Sequence, residues 1–400
     1  MRPQICFSTF LFLSGCLLSG VSSRFDPTTY TRTTAACKAV RRDADHAIVD
    51  IELSGSSPLP RLYGTEPFFR AGYIDINPSA QTAIILVHGW PSIWSTWAYQ
   101  IQALEKDYHL IVPDLRGFGR SSHPEDVQTS GTMFDHVGDL ACVLEHAKVD
   151  TVICLGHDWG SVLCYEAGRL RPDIFQGVVG AVVPYIPSAG PFVPIKDLTT
   201  FFPKLTYQLF FGLQTPDAVE ELDRDIRRSL RATLRAKSSP PPDEFLKSSE
   251  TFLGAWSDYE EASRTGLPNR TNINAENRSR LYHFYRLRRR IISLKNSAIK
   301  ASRTFYTPGN RHGTWKFANE QGNHTLPQPV LAIYPTHDPV ADWVMAAEVL
   351  KSESFLPRLT TATVEGSHWI HMENPEPFNA ALKSWLEANF GGLARAEDEL

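Results

Sequence analysis

The chain has 400 residues, of which 42% are hydrophobic and 21% are charged, and it contains six cysteines. This composition excludes a disordered chain, a collagen-like repeat and a small disulfide-rich scaffold. The formal charge of −4, from 40 basic and 44 acidic residues, gives no general attraction to nucleic acid. Domains typically contain about 100–200 residues, so the length predicts two domains or one large domain with an insertion.

The first residues have the pattern of a secretory leader. An uncharged apolar segment follows Arg2, and Val21 and Ser23 suit the −3 and −1 positions of a signal-peptidase site. We therefore expect residues 1–23 to be a signal peptide. The alternative is an uncleaved membrane anchor, and only in that case do we expect contact with a membrane.

Three Asn-X-Ser/Thr sequons agree with passage through the secretory pathway. The chain ends in Glu-Asp-Glu-Leu, which differs from an endoplasmic-reticulum retention signal at its first position. We therefore expect a protein of the endoplasmic-reticulum lumen or a secreted protein, and the sequence does not distinguish the two. The predicted glycosylation sites are Asn269, Asn277 and Asn323.

Four cysteines lie beyond the leader, and their spacing matches no zinc site. Cys154 lies in an apolar segment and Cys164 follows a predicted helix start, so we expect both to be buried thiols. A disulfide between Cys37 and Cys142 is compatible with this compartment, but the sequence does not decide it.

Short apolar segments bounded by turn residues recur along the chain and alternate with helical patterns. Strands without polar alternation are typical of a parallel sheet that is covered on both faces. We therefore predict a mostly parallel, doubly wound α/β sheet. The predicted strands are residues 83–87, 109–112, 151–155, 178–183, 330–334 and 361–364, and the predicted core helices include 133–147, 162–170 and one around 378–386.

The strand–helix alternation stops after Tyr185 and resumes at Val330. The interval predicts helices at 217–235, 244–254 and 278–303, followed by a surface loop at 307–329. A helical block that interrupts an α/β pattern predicts a cap inserted into one α/β domain. The predicted organisation is a signal peptide (1–23), an N-terminal extension (24–71), a first part of the core (72–185), a helical cap (186–328) and a second part of the core (329–400).

One predicted strand runs directly into Gly156-His157-Asp158-Trp159-Gly160. The glycines permit a tight strand-to-helix turn that displays the central side chain above the sheet edge. That side chain is Asp158 rather than the serine of Gly-x-Ser-x-Gly. An aspartate is ionised at neutral pH and suits displacement at saturated carbon, which gives an alkyl ester. Asp158 is therefore the predicted nucleophile.

Two later residues complete a catalytic triad. Asp338 and His368 each follow a predicted strand, and the order nucleophile, acid, histidine is that of the α/β-hydrolases. We expect His368 to activate the water that cleaves the ester, with Asp338 fixing its tautomer. In this fold, the loop after an early strand and the residue after the nucleophile supply the oxyanion hole. Trp90 and Trp159 are therefore the predicted backbone N–H donors.

At these motifs the chain resembles the epoxide hydrolases of the α/β-hydrolase superfamily, and most closely their fungal members. The resemblance extends from about residue 72 to residue 390. It is carried by an ordered set of motifs: Tyr73-Ile-Asp-Ile-Asn-Pro78, His88-Gly-Trp-Pro91, Trp97-Ala-Tyr-Gln-Ile101, Asp114-Leu-Arg-Gly-Phe-Gly-Arg-Ser121, Gly156-His-Asp-Trp-Gly160 and Val183-Pro-Tyr185.

The resemblance implies that the cap supplies two tyrosines whose hydroxyls hydrogen-bond the epoxide oxygen. The first tyrosine precedes a glutamine in the family, which points to Tyr207. The second precedes a basic residue in a late cap helix, which points to Tyr285, with Tyr282 as the alternative. We further expect the substrate pocket to include His88, Gly89, Pro91 and Gln208.

The implied function is an epoxide hydrolase that acts on a small-molecule epoxide and water, without a metal ion or an organic cofactor. Three alternatives stay open: a haloalkane dehalogenase whose halide binds the Trp159 indole, a biosynthetic cyclase in which a substrate hydroxyl opens the epoxide, and a ligand-binding protein without turnover. A serine esterase is disfavoured because Ser161 lies past the apex of the turn. The sequence does not give the substrate, its stereochemistry or the oligomeric state.

Overall fold

The computed structural model of the chain describes residues 25–38, 41–42, 48–49, 68–123, 131–256 and 303–391. The strands are β1 (Arg32–Lys38), β2 (Arg41–Arg42), β3 (Ile48–Val49), β4 (Phe68–Ile76), β5 (Ala83–Val87), β6 (His109–Pro113), β7 (Val152–His157), β8 (Phe175–Ala181), β9 (Val330–Pro335) and β10 (Leu359–Val364). Within the described residues, one eight-stranded sheet has the order β1-β4-β6-β5-β7-β8-β9-β10, and β2 pairs with β3.

The six neighbouring strands β6, β5, β7, β8, β9 and β10 are parallel to one another. At the other side of the sheet, β4 is antiparallel to both β6 and β1. Every residue of β5, β6, β7 and β9 is buried, as expected for strands covered by helices on both faces. The predicted mostly parallel α/β sheet is therefore confirmed. The carboxyl ends of its parallel strands meet at one edge, where the candidate site lies.

The helices of the core pack on the two faces of this sheet. The longest predicted ones are present with small changes at their ends, and α2 begins with a capping box between Thr132 and Asp135. The core helices are α1 (Ala98–Leu104), α2 (Met133–His146), α3 (Trp159–Leu170), α9 (Trp343–Val349), α10 (Ile370–Glu373) and α11 (Pro375–Phe390). No helix among the described residues is long and apolar enough to span a membrane.

Part of the predicted N-terminal extension belongs to the sheet. β1 pairs along its whole length with β4, from Arg32 opposite Ile74 to Lys38 opposite Phe68. A disulfide between Cys37 and Cys142 also joins this strand to α2. The extension therefore supplies an edge strand.

A second disulfide joins Cys154 of β7 to Cys164 of α3. The prediction that these two cysteines are thiols is wrong, although both side chains are fully buried as expected. The turn between β7 and α3 brings their Cα atoms to 5.4 Å, within the range that a disulfide requires. That approach depends on the geometry of the turn and is not visible in the sequence spacing.

The segment between β8 and β9 forms helices and turns in its described parts. We call residues 195–256 and 303–321 the cap. Its α-helices are α4 (Ile195–Phe201), α5 (Tyr207–Leu213), α6 (Thr215–Arg224), α7 (Ile226–Thr233) and α8 (Pro308–Gln321), and its 3-10 turns are Pro203–Leu205, Gly254–Trp256 and Arg303–Tyr306.

Two predicted helices of the cap are corrected by the structure. The predicted helix at 217–235 is broken at Asp225, whose side chain accepts a hydrogen bond from the Arg228 N–H and caps α7. Residues 244–254 form turns rather than a helix. The Glu221 carboxylate accepts hydrogen bonds from the backbone N–H groups of Phe252 and Leu253, so these donors need no helical partner.

The predicted surface loop at 307–329 is also wrong, because most of it is α8. Pro308 opens this helix and Gly322 closes it in a left-handed conformation. The helix has no apolar stripe, and the residues it buries are Asn310, Gly313 and Ala318. The helix predicted at 278–303 lies outside the described residues except for residue 303, the first residue of a 3-10 turn.

Candidate active site

The turn between β7 and α3 holds Asp158 in an unusual backbone conformation. Its φ of 57° and ψ of −121° lie in a region of backbone conformation that residues other than glycine rarely adopt. The flanking glycines allow close backbone contacts, because a Cβ atom on Gly160 would lie 2.1 Å from the carbonyl oxygen of Val87. The Gly-x-Asp-x-Gly pattern therefore presents one carboxylate above the edge of the sheet.

Two backbone donors point at this carboxylate. The Trp90 N–H donates to Asp158 Oδ1 over 3.0 Å, and the Trp159 N–H also hydrogen-bonds the side chain. Gly89 permits this approach, because a Cβ atom there would lie 2.5 Å from Oδ1. The two residues predicted to form the oxyanion hole thus both donate to the Asp158 carboxylate.

The other predicted residues of this loop have different positions. The His88 ring is fully buried, its Nε2 accepts from the Leu115 N–H at 3.0 Å and its Nδ1 contacts the Gly89 carbonyl oxygen at 3.0 Å. Both ring nitrogens of His88 are therefore engaged by backbone groups, and its role in the substrate pocket stays a prediction. Pro91 is buried and follows Trp90 through a cis peptide bond.

His368 lies between two carboxylates. Its Nε2 is 3.5 Å from Asp158 Oδ2, and its Nδ1 is 2.7 Å from Asp338 Oδ2. The side chains of His368 and Asp158 are 12% and 15% exposed, whereas that of Asp338 is fully buried. The structure therefore brings the three predicted triad residues together, with His368 between Asp158 and Asp338.

Two residues that the sequence interpretation missed hold Asp338 in place. The Trp343 indole N–H donates to Asp338 Oδ2 over 2.6 Å, and the Val340 N–H donates to Oδ1 over 2.8 Å. Both residues follow Asp338 within five positions. This short spacing is the signal that could have identified them, because a loop of this length can fold back so that its N–H groups reach the Asp338 carboxylate. These bonds leave Asp338 as a fixed acceptor for the imidazole.

The charges of the triad reinforce one another. Burial disfavours the charged imidazolium, but the carboxylates of Asp338 and Asp158 more than offset it and raise the pKa of His368 to about 10. Burial would raise the pKa of Asp158, but the hydrogen bond and positive charge of His368 outweigh it and lower that pKa. The resting site is therefore an imidazolium held between two carboxylates.

Neighbouring histidines have supporting positions. Burial lowers the pKa of His157 to about 4, and its Nε2 lies 2.8 Å from the His368 carbonyl oxygen, so a neutral His157 positions the catalytic loop. His371 packs against the His157 ring at 4.3 Å and contacts the Thr96 hydroxyl. His337 is exposed beside Thr336.

The cap places two tyrosines opposite the nucleophile. Tyr207 begins α5, and Tyr306 ends the 3-10 turn that precedes α8. Their hydroxyls are hydrogen-bonded to each other, and the Trp159 indole N–H donates to Tyr306. Burial and the charge of Asp158 raise the pKa of Tyr207, and burial, Tyr207 and Asp158 do the same for Tyr306. Both hydroxyls therefore stay protonated and can donate.

Tyr306 was missed by the sequence interpretation. Tyr285 and its alternative Tyr282 lie outside the described residues, so their assignment stays a prediction. The sequence does carry a signal for Tyr306, because it stands two residues before Pro308, which opens the last helix of the cap. Between Tyr306 and Pro308 the chain turns back toward the core and toward the edge of the sheet that holds the candidate site.

Gln208 links the tyrosine pair to a cation. Its Nε2 lies 3.3 Å from the Tyr207 hydroxyl, and its Oε1 accepts a hydrogen bond from Arg311 of α8. The Arg311 guanidinium also lies 5.2 Å from the centroid of the Trp159 indole. The predicted pocket residue Gln208 therefore lies beside the candidate donors.

Aromatic rings pack around the two residues that flank the carboxylate. Trp90 contacts Phe211 and Phe252 with ring centroids 5.0 and 5.7 Å apart. Phe305 stacks on the Trp159 indole at 5.2 Å with 7° between the planes. These rings restrict water near Asp158 and strengthen its electrostatic interactions.

Comparison with known proteins agrees with this architecture. The sequence profile of a family described as alpha/beta hydrolase fold matches residues 82–375. The chain belongs to the α/β-hydrolase fold family. The profile match includes Asp158, Asp338 and His368, so the candidate triad lies within the part of the chain that defines the family.

Several proteins that are similar in sequence to this chain are named epoxide hydrolases. The chain is 24% identical to bifunctional epoxide hydrolase 2 of Sus scrofa over 372 residues, which cover 87% of this chain but only 62% of the pig protein. It is 26% identical to epoxide hydrolase A of Mycobacterium tuberculosis over 349 residues, covering 82% of this chain and 98% of that protein. The resemblance to epoxide hydrolases is confirmed, and its fungal character stays a prediction.

A solved structure extends the similarity to three dimensions. An epoxide hydrolase from an endophytic Streptomyces has a TM-score of 0.61 and 26% identity, covering 80% of this chain and 92% of that one. This match agrees with the α/β-hydrolase fold.

The predicted glycosylation sites are only partly visible. Asn323 is exposed just beyond the Gly322 that ends α8. Asn269 and Asn277 lie outside the described residues. Glycosylation at all three asparagines stays a prediction.

Proposed function

We propose that the protein is an epoxide hydrolase that opens a small-molecule epoxide through an ester on Asp158 and releases a vicinal diol. The observation that carries this proposal is the arrangement around one carboxylate. His368 and the backbone donors contact Asp158 from the core, whereas the cap supplies the hydroxyls of Tyr207 and Tyr306. The names of the relatives support the same activity.

The first step joins substrate to enzyme. An Asp158 oxygen attacks an epoxide carbon, the carbon–oxygen bond of the ring breaks, and its electron pair stays on the departing oxygen. A hydroxyl of Tyr207 or Tyr306 gives that oxygen a proton, so the products are an alkyl ester and a tyrosinate. Stabilising this developing charge by donors that are already in place is the main contribution of the cap.

The second step releases the product. Alkylation removes the negative charge of Asp158, which is one of the charges that raise the pKa of His368. The imidazolium then gives up its proton, which returns through solvent to the tyrosinate, and neutral His368 becomes a base. It deprotonates a water that attacks the ester carbonyl carbon. The N–H groups of Trp90 and Trp159 stabilise the resulting oxyanion. Its collapse breaks the bond between the carbonyl carbon and the substrate oxygen, which takes a proton from His368 and leaves as the diol. The Asp158 carboxyl then gives its proton to His368, which restores the carboxylate and the imidazolium.

A dehalogenase is less well supported by the site. In that alternative the Trp159 indole N–H would bind the departing halide. Here the same N–H donates to the Tyr306 hydroxyl, Phe305 stacks on the indole, and the Arg311 guanidinium lies 5.2 Å from the indole centroid. The paired hydroxyls instead suit an oxygen leaving group that must be protonated.

The test is to trap the ester. In a His368→Gln variant the first step should continue while the second slows by about 10²–10⁴-fold, which is the usual contribution of a general base. Mass spectrometry of the protein mixed with styrene oxide should then show one equivalent of covalent adduct on the peptide that contains Asp158. An Asp158→Ala variant is the control and should form no adduct. Absence of an adduct in His368→Gln, together with diol release by Asp158→Ala, would contradict the proposal.

We also propose that the protein enters the secretory pathway. The disulfides Cys37–Cys142 and Cys154–Cys164 support an oxidising compartment, and the exposed Asn323 can accept a glycan. Expression in a eukaryotic host should give a product whose mass falls on treatment with an N-glycosidase. An unchanged mass with free thiols would contradict this location.

A further inference from the structure

Arg311 lies next to the candidate active site without belonging to the triad, the oxyanion hole or the tyrosine pair. It lies in the first turn of α8, and its guanidinium covers one side of Trp159, the residue after the nucleophile. Burial lowers the pKa of Arg311, and the nearby Tyr207 and Tyr306 act in the opposite direction. An arginine remains charged in such an environment because its ordinary pKa is above about 12.

A hydrogen-bonded chain connects this cation to the tyrosine pair. Arg311 donates to Gln208 Oε1, and Gln208 Nε2 lies 3.3 Å from the Tyr207 hydroxyl, which in turn contacts Tyr306. A side-chain amide that accepts from a cation becomes a better donor at its nitrogen, because successive hydrogen bonds polarise one another. The chain therefore directs positive charge toward the Tyr207 oxygen.

Tyr207 needs such support when the epoxide opens. Burial and the charge of Asp158 both make its hydroxyl harder to ionise, whereas Gln208, Tyr306 and the charge of Arg311 make it easier. Opening of the ring places negative charge on the epoxide oxygen and then on the tyrosine that protonates it. A fixed cation in a site of low dielectric stabilises this charge without reorganisation.

We propose that Arg311 is a positioning residue for epoxide opening: through Gln208 it orients the Tyr207 hydroxyl and stabilises the negative charge that develops there. This inference rests on the proposed function. It assigns Arg311 to the first chemical step alone, because the water attack of the second step takes place between His368, Asp158 and the backbone donors.

The two steps can be measured separately in a single turnover. Excess enzyme is mixed with styrene oxide, an uncharged epoxide, and tryptophan fluorescence follows formation and decay of the ester. We expect Arg311→Gln to slow formation by about 10–100-fold, less than the loss of a direct donor, and to change decay by less than about twofold. Arg311→Lys keeps the charge and should recover part of the lost rate. Lys316→Gln removes another cation from α8 and should leave both steps unchanged.

A double-mutant cycle tests whether Arg311 acts through Tyr207. In a Tyr207→Phe background the hydroxyl is absent, so Arg311→Gln should cause little further loss. Effects that multiply in the double variant would overturn the proposal, as would equal slowing of both steps by Arg311→Gln. A loss limited to the KM of an epoxide that carries a carboxylate would overturn it too, because Arg311 would then bind substrate charge.

The outcomes separate this inference from the proposed function. If the wild-type protein forms no ester, the proposed function fails. If the wild type forms the ester and Arg311→Gln forms it at the same rate, only the role of Arg311 fails. Thermal unfolding of each variant shows whether a lost rate reflects a lost fold.

Discussion

The core and the cap contribute to the candidate site in different ways. In the core, Trp90, Asp158, Asp338 and His368 each follow the carboxyl end of a strand, and the backbone of the sheet sets their spacing. In the cap, Tyr207 and Tyr306 come from a helix and a 3-10 turn separated by almost a hundred residues of sequence. The comparison shows that attack and hydrolysis are built on the sheet, whereas protonation of the departing oxygen is built on packed helices.

This division has a chemical consequence. Asp158 is needed in both steps, whereas the other groups on the sheet act mainly on the water and on the ester, so their loss should appear mainly in ester hydrolysis. Groups of the cap act on the epoxide oxygen, which has left the reacting centre once the ester has formed. Substitutions in the two regions should therefore slow different steps.

The largest effect is expected in the core, for Asp338→Asn. Asp338 accepts from His368 Nδ1, the Trp343 indole and the Val340 N–H, and an amide cannot accept at both ends. The imidazole then loses its orienting charge, and ester hydrolysis should slow by about 10³–10⁴-fold with much less effect on ester formation. Single-turnover fluorescence measures both rates. If Asp338→Asn slowed ester formation alone, the proposed division of roles between the core and the cap would be wrong.

A smaller effect is expected in the cap, for Tyr306→Phe, and it should fall on ester formation rather than on ester hydrolysis. Removing one preorganised donor should slow ester formation by about 10²-fold while hydrolysis of the ester stays nearly constant. Tyr207→Phe is the matched variant and should slow the same step. If Tyr306→Phe forms the ester at the wild-type rate, Tyr306 is not a donor, and Tyr285→Phe should then be examined in the same assay.

The smallest expected change is a shift in one titration. The carboxylates of Asp158 and Asp338 raise the pKa of His368 to about 10, against the effect of burial. Asp158→Asn removes one negative charge, so the pKa of His368 should fall, as it should when the ester forms. NMR titration of the imidazole measures this change, with Tyr207→Phe as a control in the cap that keeps both carboxylates. An unchanged pKa in Asp158→Asn would contradict the proposed activation of His368.

The core was largely readable from the sequence because its signals are local. Apolar strands ending in Gly-x-Asp-x-Gly, an acid and a histidine place three functional side chains at one edge of a parallel sheet. The interactions that refine this arrangement are less visible. The bond from Trp343 to Asp338 and the disulfide Cys154–Cys164 depend on how a loop and a turn fold back.

The cap was harder to interpret because its structure depends on contacts between distant segments. Residues 244–254 have a helical composition, yet Glu221 binds their backbone donors and holds turns instead. α8 buries small and polar residues rather than an apolar stripe, so hydrophobic periodicity does not reveal it. Without that helix, Pro308 alone marks the position of Tyr306 in the sequence, and the domain boundaries stay predictions.

The covalent role of Asp158 is the central claim, and one labelling experiment tests it most directly. Excess wild-type enzyme is mixed with an epoxide in water enriched in oxygen-18, and the Asp158 peptide is weighed after a single turnover. The proposed mechanism predicts one heavy oxygen in the Asp158 carboxylate and none in the first diol released. A labelled diol together with an unlabelled Asp158 would contradict it.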